Sequence, residues 1–291
     1  QAMRFLHGPR RLPLPRRVLL ASASGCLLLQ ALRGGGRGAA FAPASAWRSM
    51  ASVLPVLGFD LDDTLWDTTA TLRTAHEAMV RAAPSLSAEH RTPAGFKVEM
   101  MATQAAHPEL AHDFTFVRKE TLRRILGSQE LADTAFGSFI AARNTPVFYP
   151  GAVEALRTLQ GRGHRLCAIS DGNSQPMAIA ELKGVFEFAV SAAEAGASKP
   201  DKRPFLLAAE RAGVGPSSMI YIGDNYTKDV LGAKAVGMRA VWVRTPQACD
   251  ADFMIAQQVS PDQGESAADA EVVMVSELPQ VLQDLTPKGA L

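Results

Sequence analysis

Seven side chains able to do chemistry stand in four short runs, each following an apolar stretch. Asp60 and Asp62 open Asp60-Leu61-Asp62-Asp63-Thr64, Ser170 and Asp171 open Ser170-Asp171-Gly172-Asn173, Lys199 precedes Pro200, and Asp224 and Asp229 bracket a run that begins at Gly223. Carboxylates two residues apart suit acid–base or nucleophilic work, and several together suit a hard cation that prefers oxygen ligands. A hydroxyl, backbone amides and one lysine would let an anion approach those acids. Any one of these runs alone is weak: two acids near a turn are usually a solvated loop, and a single lysine is usually a surface residue.

What lifts them is the set of elements that must position them. Apolar runs at residues 53–59, 165–169, 188–191, 219–222, 240–243 and, more weakly, 272–275 predict strands. Helical spacing at 153–160, 176–182, 204–212, 229–235 and 278–285 predicts helices between and after them. Strands alternating with helices imply an α/β fold with a doubly wound parallel sheet, and ligands of such sheets bind at the carboxyl ends of the strands. All four polar runs fall at that edge.

About a hundred residues separate the first two strands. Leu72, Ala75, Met79 and Ala82 follow helical spacing after Asp67 or Thr68 as N-cap, and further helices follow Asp113 and include Leu131, Ala135 and Phe139. The expected organisation is a leader at 1–50, an α/β core at 51–66 and 148–286, and an all-helical cap at 67–147. Tyr149-Pro150-Gly151 reads as the return turn, and 257–269 as a polar loop.

Taken in order, DxDxT after an apolar strand, an apolar run ending in Ser170, Lys199-Pro200 and GDxxxxD resemble the four motifs of the haloacid dehalogenase superfamily of hydrolases. The resemblance covers about residues 54–285, and the insert lies where one branch of that superfamily carries a helical cap. It implies a Rossmann-like core and the following roles. Asp60 is the nucleophile that forms an aspartyl-phosphate, and Asp62 is the acid and then the base. Ser170, the amide of Asp171 and Lys199 hold the phosphoryl group. Mg²⁺ is bound by the Asp60 carboxylate, the Asp62 carbonyl and the Asp224 carboxylate, with Asp229 in support. Splitting a slow hydrolysis through a covalent intermediate is sound chemistry for a phosphate monoester. The implied function is a Mg²⁺-dependent phosphatase of a small phosphorylated metabolite: a sugar phosphate, phosphoglycolate or a nucleoside monophosphate. A sugar-phosphate phosphomutase and a non-catalytic binding module on the same fold are the alternatives. Asp62 argues against dehalogenation, since dehalogenases of this family lack an acid there.

Other residues receive plainer readings. Asp63 and Thr64 shape the turn, and Trp66 packs between cap and core, with substrate contact as its alternative use. Arg118, Arg123, Arg124 and Arg143 are cap cations that mostly form surface salt bridges, with a second substrate anion as the alternative use. His76, His90, His107, His112 and His164 lack metal-ligand spacing and read as surface or loop residues.

The chain of 291 residues carries 30 basic and 29 acidic side chains, a net charge of +1. That balance hides two unlike parts, because residues 1–50 hold eight arginines and no acid, leaving the body at a net of −7. An acidic body argues against a nucleic-acid partner. In the leader, Arg16 and Arg17 precede a 15-residue apolar run at 18–32, short of the ~20 residues a membrane span needs, so no stable membrane anchor is expected. With Ala40-Phe41-Ala42-Pro43, the leader resembles two-part targeting sequences of plastids of secondary origin. A mitochondrial presequence, untranslated sequence and a cytosolic form starting at Met50 are the alternatives. Cys26, Cys167 and Cys249 form no recognisable disulfide or metal pattern.

Overall fold

The computed structural model describes residues 54–244 and 266–285. The leader, Cys26, Cys249 and most of the 257–269 stretch lie outside them. The chain enters the core through β1 (Val56–Phe59) and leaves it through a two-residue strand, β2 (Trp66–Asp67). Four helices follow, α1 (Thr68–Ala82), α2 (Pro93–Ala106), α3 (Phe114–Leu126) and α4 (Gln129–Arg143). The chain returns through β3 (Val147–Phe148), which pairs antiparallel with β2. Then come α5 (Ala152–Gly161), β4 (Leu166–Ser170), β5 (Phe188–Ser191), α6 (Ala192–Ala195), α7 (Lys202–Ala212) and β6 (Met219–Gly223). The described chain ends with α8 (Gly232–Ala235), β7 (Arg239–Val243), β8 (Ala270–Val272) and α9 (Leu278–Leu285).

Six strands form one parallel sheet in the order β5-β4-β1-β6-β7-β8. Alternate residues serve opposite faces. Leu57, Phe59, Leu166, Ala168, Ile220 and Ile222 pack with α5 and α9, whereas Val56, Cys167, Ile169, Met219 and Tyr221 pack with α7 and α8. Because both faces are covered, the inner strands β1, β4 and β6 are buried throughout and read as continuous apolar runs rather than alternating ones.

The insert has its own core, where Ala75 and Met79 of α1 meet Phe96 of α2, Val117 and Leu122 of α3, and Ala135 and Phe139 of α4. Each of its helices is started by a side chain that accepts a backbone N–H: Asp67 from Ala70 at 2.8 Å, Thr92 from Gly95 at 3.1 Å, Asp113 from Thr115 at 2.9 Å and Ser128 from Leu131 at 3.3 Å. These caps satisfy donors that the first turn of a helix leaves free. No helix among the described residues is long and apolar enough to cross a membrane.

Four sequence expectations shift. The helix expected at 176–182 is two 3₁₀ turns, Pro176–Ala178 and Ala180–Leu182, broken where Ile179 adopts an extended backbone and buries its side chain in the core. The helix expected from 229 opens earlier, with a π-helical turn at Tyr226–Leu231. The last strand lies at Ala270–Val272, ahead of the expected 272–275, and Val275 begins a 3₁₀ turn. Finally, α2 has no counterpart in the sequence reading. It buries Phe96, Met100 and Thr103 but exposes Val98 and Met101, so its apolar stripe is blurred.

Candidate active site

The chain visits β4 and β5 on one side of β1 and then crosses to β6 on the other. A crevice at the strand ends forms at such a switch of direction. Asp60 follows β1 directly, Ser170 ends β4 and Asp224 follows β6, so three neighbouring strand ends, each ~4.8 Å from the next, deliver three of the expected residues to one place. Lys199 arrives from the loop after α6, at a cis peptide bond to Pro200.

Lys199 is the hub. Its Nζ donates to Asp60 Oδ1 and Asp229 Oδ1, both at 2.7 Å, and lies 2.8 Å from the Tyr221 hydroxyl, which in turn donates to the Ile169 carbonyl at 2.7 Å. Burial alone would discharge a lysine, but the Asp229 and Asp60 carboxylates outweigh it and hold its pKa well above the usual range. Asp60 moves the other way: burial, despite Lys199 and reinforced by Asp229 and Asp224, raises its pKa well above that of an ordinary carboxyl. Three buried carboxylates, Asp60, Asp224 and Asp229, place oxygens within 4.8 Å of one another against that one ammonium. The excess of two negative charges and the all-oxygen donor set fit a hard divalent cation. Asp229 is the least available of the three, since its Oδ2 accepts from the Asn225 N–H at 2.8 Å while its Oδ1 takes Lys199. Asp224 is steadied by Thr64, whose hydroxyl donates to its Oδ1 at 3.0 Å, and by Trp242 Nε1 on its backbone carbonyl at 2.7 Å.

Asp62 is held apart from this cluster. Its Oδ1 accepts from Arg143 Nη2, from Trp66 Nε1 at 2.8 Å and from Thr68 Oγ1 at 3.3 Å. Burial pushes its pKa up, but the Arg143 charge and these hydrogen bonds prevail and hold it below the usual carboxylate range. Gly172 makes the approach possible: a methyl group there would collide with Asp62 Oδ2. Ser170 is buried, and its Oγ accepts from the Gly172 N–H at 3.1 Å. The Asp171 carboxylate is engaged elsewhere, taking the Lys199 N–H at 2.9 Å and Lys228 Nζ at 3.2 Å.

The structure thus gathers Asp60, Lys199, Asp224 and Asp229 into one buried cluster and lines one cavity of about 270 Å³ with these four together with Asp62, Ser170 and Asp171. Several of their partners escaped the sequence reading. Tyr221 was read only as a strand residue and Thr64 only as a turn residue. Asp63 does shape the turn, with a positive φ of 57° and its Oδ1 taking the Thr68 N–H at 3.1 Å. Burial and the Asp224 charge raise its pKa to about 7.

The cap arginines divide. Arg123 pairs with Glu120 and Arg124 with Glu99 at 2.6 Å on the surface, as expected. Arg143 does not: it is 1% exposed and reaches across 81 residues to Asp62. Arg118 makes no salt bridge among the described residues and faces the cavity. Trp66 is buried edge-on against Phe148 at the two crossings between cap and core. The histidine reading needs correction at His76, which is buried within α1, whereas His164 lies in a loop as expected and is buried there. Their ring nitrogens meet backbone carbonyls, Nε2 with Arg91 at 3.0 Å and Nδ1 with Pro55 at 3.2 Å.

Comparison with known proteins agrees with this geometry. The chain is similar to a 5-amino-6-(5-phospho-D-ribitylamino)uracil phosphatase of Escherichia coli, 32% identical over 66% of this chain and 84% of that protein. It is also similar to a glyceraldehyde 3-phosphate phosphatase of Pyrococcus furiosus, 29% identical over 80% of this chain and 93% of the relative. Among solved structures, a 2-haloacid dehalogenase from Pseudomonas syringae superposes with a TM-score of 0.66 at 28% identity, covering 80% of this chain and 99% of that one. The family model described as haloacid dehalogenase-like hydrolase matches residues 55–237, and the chain belongs to that family of hydrolases.

Proposed function

We propose that this hydrolase is a phosphatase that cleaves a small phosphate monoester through an aspartyl-phosphate on Asp60. The observation that carries the reading is the pairing of two differently treated acids at one strand end. Asp60 lies in the carboxylate cluster beside Lys199, and Asp62, two residues on, is turned toward the cap by Arg143, Trp66 and Thr68. In the first half of the reaction an Asp60 oxygen bonds to phosphorus as the bond to the leaving oxygen breaks, and that oxygen takes a proton from Asp62. In the second half a water oxygen attacks phosphorus, its proton passes to Asp62, and the bond to Asp60 breaks. The Arg143 contact favours the ionised Asp62 that the second half requires. The first half requires the protonated form, so this contact loosens when substrate enters. Ser170, the Asp171 amide and Lys199 hold the phosphoryl oxygens.

Asp60, the Asp62 carbonyl and Asp224 would hold Mg²⁺, with Asp229 securing Lys199 beside it. Such a cation supplies the positive charge that lets Asp60 stay ionised and an anionic ester approach.

Two phosphatases of small organic phosphates among the relatives support this reading. The similarity to a dehalogenase supports the shared fold, whereas Asp62, built into the site by three donors, favours phosphoryl transfer. A panel of sugar phosphates, phosphoglycolate and nucleoside monophosphates with Mg²⁺ tests it. At least one should release phosphate and alcohol in equal amounts, chelation should stop the release, and Asp60→Asn should cut turnover by about 10³-fold or more. An Asp60→Asn protein of wild-type activity would refute the mechanism, and a product that keeps its phosphate at a new position would make the enzyme a mutase. For the leader, we propose plastid delivery, tested by fusing residues 1–50 to a fluorescent protein. Fluorescence that stays in the cytosol or enters mitochondria would overturn it.

A further inference from the structure

The cap contributes a wall unlike the acidic one beneath it. Phe96, Met100, Phe114 and Phe139 line the upper part of the cavity, and α3 sends Arg118 into this apolar setting. Its guanidinium carbon stacks 3.9 Å from the centre of the Phe139 ring and 5.4 Å from that of Phe96. Its Nε is buried without a hydrogen-bond partner, and no carboxylate pairs with it among the described residues. The contrast on the same helix is direct, because Arg123 and Arg124, facing outward, each have a glutamate.

A cation kept in an apolar pocket without a counter-ion is costly, and burial with the like charge of Arg143 pushes its pKa down to about 9. It still carries its charge at neutral pH. Neighbouring cations are already committed: Arg143 to Asp62, Lys199 to Asp60 and Asp229, and Lys228 to Asp171. A planar guanidinium stacked on an aromatic ring keeps its edge free for two parallel hydrogen bonds, the geometry that carboxylate and phosphate oxygens match.

We propose that Arg118 is a second anion-binding point of the site, taking a carboxylate or phosphate carried by the leaving group of the ester, while the phenylalanine rings flank the carbon body between the two anions. This rests on the phosphatase reading and specifies its substrate class: small organic phosphates with a further acidic group at the far end from the scissile ester.

Matched pairs of phosphate esters with one carbon frame, ending in a carboxylate or the isosteric carboxamide, test it with Mg²⁺ present. The wild-type enzyme should favour the carboxylate by roughly tenfold or more in kcat/KM, mostly through KM, as expected for one buried charged hydrogen bond. Arg118→Met should erase that preference and Arg118→Lys should keep part of it, with Arg118→Gln taking the place of Arg118→Met if the latter does not fold. Equal rates for both esters in the wild type, or a preference that survives in a folded Arg118→Met protein, overturns the proposal. Turnover of neither ester, nor of any in the wider panel, instead counts against the phosphatase reading itself.

Discussion

The two walls of the cavity follow opposite rules. On the core wall every charged group has a named partner: Lys199 bridges Asp60 and Asp229, Thr64 holds Asp224, and the Asn225 amide holds Asp229. On the cap wall Phe96, Met100, Phe114 and Phe139 give a largely apolar lining, and Arg118 stands without an acid among the described residues. A wall whose groups fix one another can do one kind of chemistry well. A wall that leaves a charge unmatched takes its partner from the substrate. Arg143 joins the two, because it belongs to α4 of the cap yet bonds the core residue Asp62.

Breaking the core wall at its hub should have the largest effect. Lys199→Met would leave Asp60 and Asp229 buried without a counter-charge, and removing one partner of a buried pair typically costs about 3–5 kcal/mol. The metal-free variant should therefore unfold at markedly lower urea concentration than the wild type, and Mg²⁺ should recover part of the difference by replacing the missing charge. Turnover should fall by roughly 10²–10³-fold even when the protein is saturated with Mg²⁺, because a charge aimed at the phosphoryl group is gone. An unfolding midpoint unchanged by the substitution would mean that Lys199 does not neutralise this cluster.

The Asp62 position offers a finer test, since it separates the two acids by the leaving group they serve. Asp62→Asn should slow hydrolysis of an alkyl phosphate by about 10²–10⁴-fold, the usual worth of a positioned acid or base. An aryl ester such as p-nitrophenyl phosphate, whose leaving group departs without a proton, should lose less in its phosphorylation step. Arg143→Gln should show the same ranking with smaller losses, because Trp66 and Thr68 still hold Asp62. Equal losses on both esters would assign Asp62 to positioning rather than proton transfer.

How much of this was visible in the chain depends on the range of the interaction. Three of the four polar runs were legible because each sits at the end of an apolar strand, and the strand-helix alternation alone brings those ends to one edge; the fourth, Lys199-Pro200, comes from the loop after α6 and was legible through its order among the motifs. Asp67 and Asp113 were legible as caps because capping is local. Partnerships that bridge the fold were not: Thr64 to Asp224 spans 160 residues, and Arg143 to Asp62 spans 81. Nothing in the local patterns of α3 and α4 distinguishes Arg143 from Arg123, each in the last turn of its helix, although one is buried on an acid and the other lies on the surface. Tyr221 was hidden differently. It occupies an ordinary strand position, and what gives it access to Lys199 is its place on the sheet face next to Gly58, where an added methyl group would lie 3.0 Å from its ring.

The smallest expected effect lies away from both walls and checks that stability and catalysis can be separated. His164 precedes β4, at the end of the sheet opposite the site, where it is buried with its Nδ1–H donating to the Pro55 carbonyl. Burial lowers its pKa, the Pro55 hydrogen bond offsetting this only in part. The folded protein therefore binds this proton less readily than the unfolded chain. As pH falls through the unfolded histidine value of about 6.5, the unfolded state gains protons first, so the stability due to neutral His164 is present above that pH and declines below it. Each unit of depression is worth about 1.4 kcal/mol, or about 3–6 °C in melting temperature for a domain of this size. His164→Gln, which keeps a donor but cannot titrate, should flatten the loss of melting temperature between pH 7.5 and 5.5. It should leave the pH profile of kcat/KM unmoved, since His164 is not among the residues that line the cavity. A shift in the catalytic profile without a change in the melting profile would show that the far end of the sheet is coupled to the site.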